Sequence, residues 1–192
     1  MAGRHQKEIA ELFEGEKDTE NAMKAYQLAA ETFENASNES ATSRSCRLKV
    51  ALYAAELQDY TTAIDIFEKV AEESLEGLGK WSVKEHLLKA GLCKLAAGDL
   101  VSMHQSLDRY KGLLYTFSRD RECTFLEALL AACENFDVEA FTRAVVDHDS
   151  ITPLDNWKTM ILSRIKKSLQ SGGDVGGGDL GEDGEDGTVD LK

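Results

Sequence analysis

Proline is almost missing from this chain: Pro153 is the only one in 192 residues. Proline breaks helices by removing an amide donor and clashing with the preceding turn, so its scarcity leaves long helices uninterrupted. Glycine is scarce through most of the chain too, because eight of the 15 glycines are confined to residues 171–192. Cysteine is sparse and scattered. Cys46, Cys93, Cys123 and Cys133 stand singly, with no CxxC pair and no histidines at ligand spacing, which argues for buried reduced thiols and against a disulfide framework or a zinc site. No apolar run approaches the roughly 20 residues needed to span a bilayer, and no signal peptide is visible. Ala2 follows Met1, which excludes N-myristoylation, and the last four residues are not a prenylation box. The expectation is a soluble, cytoplasmic chain. Positive charge is also short, with 22 Lys and Arg against 35 Asp and Glu, for a net charge of −13. A non-specific nucleic-acid binder is therefore disfavoured, because phosphate contacts need a positive field.

A helical hairpin recurs along the chain with a period of about 40 residues. Its marks are short polar turns at Asp18-Thr19-Glu20, Asp59-Tyr60-Thr61, Gly98-Asp99-Leu100 and Phe136-Asp137-Val138. After three of them a large apolar residue follows near the same offset: Tyr26, Phe67 and Leu107. The hydrophobic period is helical throughout and predicts helices over roughly 4–14, 19–35, 41–57, 60–75, 81–97, 99–116, 121–134, 137–147 and 154–170. In the fourth, Ala63, Phe67, Val70 and Ala71 share one face while Ile64 and Ile66 flank it, which is apolar width enough for a helix sandwiched between neighbours. Gly91, inside the fifth, marks a close helix–helix crossing, since a mid-helix glycine otherwise costs about 1 kcal/mol. The fold predicted is all-α: a TPR-like α-solenoid of stacked antiparallel hairpins over residues 1–170. Solenoids present surfaces, so the first expectation is a scaffold or adaptor and not an enzyme.

The two ends differ. Thr152 is a candidate N-cap with Pro153 at the first helical position and Asp155 adding negative charge in the first turn, and Trp157, Met160, Ile161, Ile165 and Leu169 then form one stripe, as a helix closing the solenoid requires. The first segment, from His5 to Phe13, begins mid-pattern straight after Met1, which suggests a naturally short form or a truncation at an internal methionine. Residues 171–192 hold seven acidic residues against Lys192 alone, a net −6 that leaves −7 for the rest. This Gly/Asp/Glu-rich stretch is predicted to be a disordered tail, with the apolar Val189 and Leu191 at its extreme end.

Motifs for chemistry are weak. Asp179, Asp183, Gly184 and Asp190 match an EF-hand loop at four positions, but Gly181 occupies a ligand position, Asp190 replaces the terminal glutamate and no helix follows; calcium binding is rejected. His5, His86, His104 and His148 are scattered without a base–nucleophile pattern. No glycine cluster lies before a GK[ST] sequence, so any ATP involved would be bound by another protein. No catalytic residue, cofactor or metal is assigned. Lys80-Trp81-Ser82-Val83-Lys84 opens the fifth helix with an aromatic between two lysines. It is either a Trp filling the groove between hairpins beside solvated lysines or a contact point for an acidic partner helix. Arg44, Arg47 and Lys49 on the preceding hairpin, with Arg4 and Arg121, would extend it into a basic stripe if they share a face.

The stretches RLKVALYAAELQDYTTAIDIFEKV (47–70), LGKWSVKEHLLKAGLC (78–93), FSRDREC (117–123) and DSITPLDNWKTMILSRIKKSL (149–169) closely resemble the soluble NSF attachment proteins of the α type. RHQKEIAELFE (4–14) and Thr152-Pro153-Leu154-Asp155 resemble plant or algal members most. The resemblance covers nearly all of residues 4–170. It implies an adaptor for SNARE disassembly, in which a twisted sheet of hairpins lies along a four-helix bundle of syntaxin-type SNARE proteins and the C-terminal portion recruits the hexameric ATPase NSF. It assigns Arg4, Lys49, Trp81, Lys84 and Arg121 to the SNARE-facing surface, with Arg44, Arg47 and Lys80 beside them, and Glu134, Asp190 and Leu191 to NSF contact. It also implies a role in intracellular vesicle transport, with membrane attachment only peripheral, through SNAREs. Departures from the family pattern are the non-basic Ser45, an acidic cluster reduced to Glu134, a longer Gly-rich insert before Asp190, and the absence of the family's N-terminal hairpins with their membrane-touching loop. The alternatives are a generic peptide-binding solenoid or a truncated regulatory form that binds SNAREs without productive disassembly.

Overall fold

The computed structural model describes residues 2–35, 40–75 and 80–173; Ser40, Lys80, Trp81 and Gly173 enter by their backbone alone. The described residues form α1 (Ala2–Gly15), α2 (Thr19–Asn35), α3 (Ser40–Glu56), α4 (Tyr60–Leu75), α5 (Lys80–Ala96), α6 (Leu100–Leu113), a 3-10 turn (Phe117–Arg119), α7 (Arg121–Glu134), α8 (Val138–Asp149) and α9 (Asn156–Gly173). Each helix packs on its neighbours in chain order, and α5 also touches α7, so hairpins α1–α2, α3–α4, α5–α6 and α7–α8 stack as an α-solenoid.

One device builds all four hairpin turns. Lys17, Gln58, Gly98 and Phe136 take positive φ (60°, 67°, 76° and 51°). An aspartate follows each. Its amide bonds the carbonyl five residues back: Asp18 to Phe13 (3.0 Å), Asp59 to Ala54 (2.8 Å), Asp99 to Lys94 (3.3 Å) and Asp137 to Ala132 (2.9 Å). That is the Schellman closure of the incoming helix. The same aspartate then caps the outgoing helix, its Oδ1 accepting from the amides of Asn21, Thr62, Ser102 and Ala140 at 3.2, 3.1, 2.9 and 2.8 Å. Stop and start signals fall on one residue, which is why the connections are so short.

Measured from each capping aspartate, the buried positions repeat. Ala22, Tyr26, Ala29, Ala30 and Phe33 are buried in α2. Ala63, Phe67, Val70, Ala71 and Ser74 hold the same offsets in α4, and Met103, Leu107 and Tyr110 hold three of them in α6. Burying each large side chain contributes about 1.5–3 kcal/mol. A smaller cluster around Tyr26, Phe33 and Val50 serves the first hairpins, and a larger one around Phe67, Leu87, Leu92, Leu126 and Phe141 serves the rest; Met23 and Ile66 touch both. The four cysteines are free and buried, as the sequence predicts, and burial pushes the Cys93 thiol up to about 12.

The last helix departs from expectation in two ways. Its N-cap is Asp155, whose Oδ1 accepts from the Lys158 amide at 2.8 Å, and not Thr152. Leu154 is drawn instead toward Asp149, whose side chain accepts its amide (2.8 Å). The helix also does more than close the final hairpin: besides touching α8 it folds back on α5 and α3. Trp157 Nε1 donates to the Leu52 carbonyl (3.1 Å), and its ring meets Phe67 edge-on at 5.9 Å. Arg164 donates to the carbonyls of Ala55 and Glu56, both at 2.8 Å, at the end of α3, where the Ala55 oxygen also accepts from the Gln58 amide (3.1 Å). Its guanidinium is thus a tertiary cap for a helix over 100 residues away.

Gly91 sits where the sequence predicts a close crossing. A Cβ built there would lie 2.8 Å from both Leu126 methyls and 3.1 Å from Met103 Cε. Overpacking at Gly91→Ala should cost about 1–3 kcal/mol, against roughly 1 kcal/mol gained in helix propensity, for a net destabilisation of up to about 2 kcal/mol. Urea denaturation checks this, and combining it with Leu126→Ala should cost less than the two single losses added together.

Candidate partner-binding face

The cations singled out in the sequence fall on alternate helices. Arg4 lies on α1, Arg44, Arg47 and Lys49 on α3, Lys80 and Lys84 on α5, and Arg121 on α7. These are the first helices of the four hairpins and so belong to one layer of the solenoid. The side chains of Lys80 and Trp81 and all of Asp190 and Leu191 lie outside the described residues.

Arg44, Arg47, Lys49 and Lys84 come with carboxylates. Arg47 makes a two-pronged pair with Glu73 of α4, Nη1 to Oε1 at 2.9 Å and Nη2 to Oε2 at 2.5 Å. Arg44 Nε approaches the same carboxylate at 3.9 Å. The Arg47 hydrogen bonds hold Glu73 below the usual carboxylate range despite its partial burial. Lys49 Nζ donates to Glu14 of α1 at 2.5 Å and stands 5.9 Å over the Tyr26 ring, while the Tyr26 hydroxyl donates to the other Glu14 oxygen at 2.7 Å. Burial opposes ionisation of Glu14, but the bonds from Lys49, Tyr26 and Tyr53 outweigh it and keep its pKa lowered. Lys84 Nζ lies 3.2 Å from Glu122 and 4.0 Å from Asp120, at the start of α7.

Arg121 is exposed and borders a groove of about 250 Å³ with Phe125, Ala128, His148 and Ile151. The His148 ring stacks on Phe125 at 4.1 Å. Arg4 is exposed beside Lys7, Glu8 and Glu11. Glu134 stands apart at the end of α7, bonded to His104 Nε2 of α6 at 2.5 Å. Among the described residues no group of His, Cys, Asp and Glu is disposed to hold a metal, and no helix is long and apolar enough to cross a membrane.

The family model for soluble NSF attachment proteins matches residues 1–170. The chain belongs to the soluble NSF attachment protein family. It is 45% identical over 170 residues to an alpha-soluble NSF attachment protein of Dictyostelium discoideum, covering 88% of this chain and 58% of that one. With the Vitis vinifera alpha-soluble NSF attachment protein the identity is 43% over 172 residues, 89% of this chain and 59% of the relative. A vesicular-fusion protein of Coprinopsis cinerea is 40% identical over 172 residues, covering 88% and 59%. The chain thus spans about three fifths of the length of the curated relatives it matches.

Sequence reasoning found the cations of this member of the family but missed their acidic partners, since Glu14 and Lys49, or Arg47 and Glu73, are 35 and 26 residues apart with no local signal. It also missed Lys158, only 6% exposed, whose ammonium joins Glu85 of α5 at 2.6 Å and Asp155 at 3.6 Å. Behind Arg44 lies His86, only 7% exposed, with a buried Nδ1 that has no hydrogen-bond partner among the described residues. Burial first, then Lys89, push its pKa down to about 4; Glu85 opposes this in part and Arg44 adds a smaller push downward. The unfolded chain therefore binds a proton at His86 that the folded chain refuses between about pH 6.5 and 4. Stability from this residue is complete above pH 6.5 and lost as pH falls through that window, by at most about 1.4 kcal/mol per pH unit. His86→Leu should flatten this part of the stability profile, as measured by denaturant unfolding at pH 7, 6, 5 and 4.

Proposed function

We propose that this chain is an adaptor between SNARE four-helix bundles and the ATPase NSF, acting in SNARE disassembly during vesicle transport. The observation that carries this reading is the placement of the candidate cations on the first helices of successive hairpins, in a chain whose family is defined by attachment to NSF. In the proposed complex Arg4, Arg44, Arg47, Lys49, Lys84 and Arg121, with Lys80 and Trp81, face the acidic bundle, whose field steers the encounter and fixes its register. Glu134, Asp190 and Leu191 face the ATPase. The acidic tail contributes a weak contact that gains strength when several copies engage together. Attachment to membranes is peripheral, through SNAREs, and the proposed location is the cytoplasm. The residues have binding roles only; the chemistry of ATP hydrolysis belongs to the partner.

The paired state of the face adds a constraint. Lys84 and Lys49 are each about 39% exposed. A partly exposed pair such as Lys49–Glu14 is worth roughly 0–1 kcal/mol, so a carboxylate on a partner can replace Glu14 at small cost. Glu122, in contrast, is buried, and Lys84 must keep it while meeting a partner. Lys84→Glu should weaken binding of a purified SNARE bundle at least tenfold at low salt while circular dichroism reports the same helix content; unchanged binding in a folded variant removes Lys84 from the interface. Leu191→Ala should leave bundle binding intact and lower NSF ATPase stimulation. Normal stimulation by that variant defeats the proposed tail contact.

A further inference from the structure

The turn between α7 and α8 and the end of α9 meet at Phe136, whose ring would lie 3.0 Å from a Cβ added at Gly172. The chain therefore leaves α9 beside the start of α8. From that point a groove runs along α8. Its near part, about 470 Å³, is lined by Val138, Glu139, Thr142, Arg143, Val146 and Lys166. A second hollow of about 210 Å³, sharing Thr142 and Lys166, continues between α8 and α9 over Phe141, Val145, Leu154 and Leu162. Val146, at the far end of the near part, is 59% exposed. An apolar floor with two cations on its edge is thus open to solvent.

Those cations have no carboxylate of their own among the described residues, unlike Arg47, Lys49, Lys84, Lys94, Arg109, Lys111 and Lys158, each of which reaches one. They share this with others such as Arg121 and Lys167, but they alone border this apolar groove. Among the described residues no ion pair engages Arg143 or Lys166, and Glu139 is the one carboxylate lining this part of the groove. The residues beyond Gly173 supply the complementary charge. Asp179-Leu180-Gly181-Glu182-Asp183 places an apolar side chain among three acids, seven residues past the end of α9.

We propose that Asp179–Asp183 of the chain's own tail docks in the groove along α8, with Leu180 on the apolar floor and the flanking carboxylates on Arg143 and Lys166. The reach fits. From Val138 to Val146 is eight residues of helix, about 12 Å, and seven residues of Gly-rich chain have an r.m.s. span of about 15 Å. Because the segment is tethered, an attraction too weak to hold a free peptide suffices. Docking here shortens the free part of the tail and leaves Val189 to Leu191 outside the groove.

The test is disulfide trapping in the full chain, where the four native cysteines are buried and compete little. Val146→Cys is paired with Leu180→Cys in one variant and with Thr188→Cys in the other. Chain length alone, 7 against 15 residues beyond Gly173, favours the 180 partner only about threefold by the −3/2 power dependence on tether length. Docking predicts at least tenfold faster intramolecular oxidation at 180, falling back toward threefold when Arg143→Glu and Lys166→Glu are added. A ratio near three in both backgrounds overturns the proposal. So does a crosslink that forms between molecules and quickens with protein concentration, because the groove's occupant is then a second copy.

Discussion

A single aspartate at each hairpin turn sets the architecture. It donates its amide to close the helix before it and lends its carboxylate to open the helix after it. Two helix ends would otherwise leave several amides and carbonyls without partners, each a loss comparable to a hydrogen bond. Concentrating both caps on one residue leaves no slack in the connection, so the apolar stripe of each second helix begins at a fixed angle to the first. The repeated burial at Ala22 and Tyr26, Ala63 and Phe67, and Met103 and Leu107 follows from that register. The positive φ before each aspartate is the accompanying strain: Gly98 bears it freely, whereas Lys17, Gln58 and Phe136 carry a side chain in a conformation that L-residues adopt at a cost of about 1–2 kcal/mol.

The proposed binding face is organised by charge compensation within the chain. A chain of net −13 would repel an acidic partner if its cations were scattered. Here the cations lie along the first helices of the hairpins, and their acidic partners come mostly from other helices: Glu73 from α4, Glu14 from α1, Glu122 from α7. Such pairs restrict the side chains, which reduces the ordering cost of binding. The interior pairs have a different place. Glu68 takes Arg109, Lys94 and the Tyr110 hydroxyl into one part-buried cluster, where removing one member would strand the others, so it fixes the packing of α4 against α5 and α6.

The helices, their boundaries within a few residues and the four turns were legible because each depends on neighbours in sequence: the 3.6-residue period, the near absence of proline, and Asp18, Asp59, Asp99 and Asp137 at matching places. Gly91 was legible for the same reason, since a glycine inside a strong helical pattern needs a packing explanation. The capping of α9 was misread, because Thr152-Pro153 carries a start signal that Asp155, three residues on, carries as well; the tertiary position of Leu154 and Asp149 decided between them. The return of α9 onto α3 and α5 had no sequence signal. Trp157 and Arg164 bond backbone carbonyls, and a carbonyl has no residue identity to read.

The amino-acid sequence by itself determined the all-helical hairpin repeat, its period and the identity of the candidate cations, because these rest on local hydrogen bonding and on residue type. Only the tertiary structure decided which carboxylate each cation meets, that His86 is held neutral behind Arg44, and that Arg143 and Lys166 border an open groove beside the end of α9. Those outcomes depend on distances between residues 20 to 110 positions apart, which are fixed by how the hairpins stack and not by the composition of any one of them.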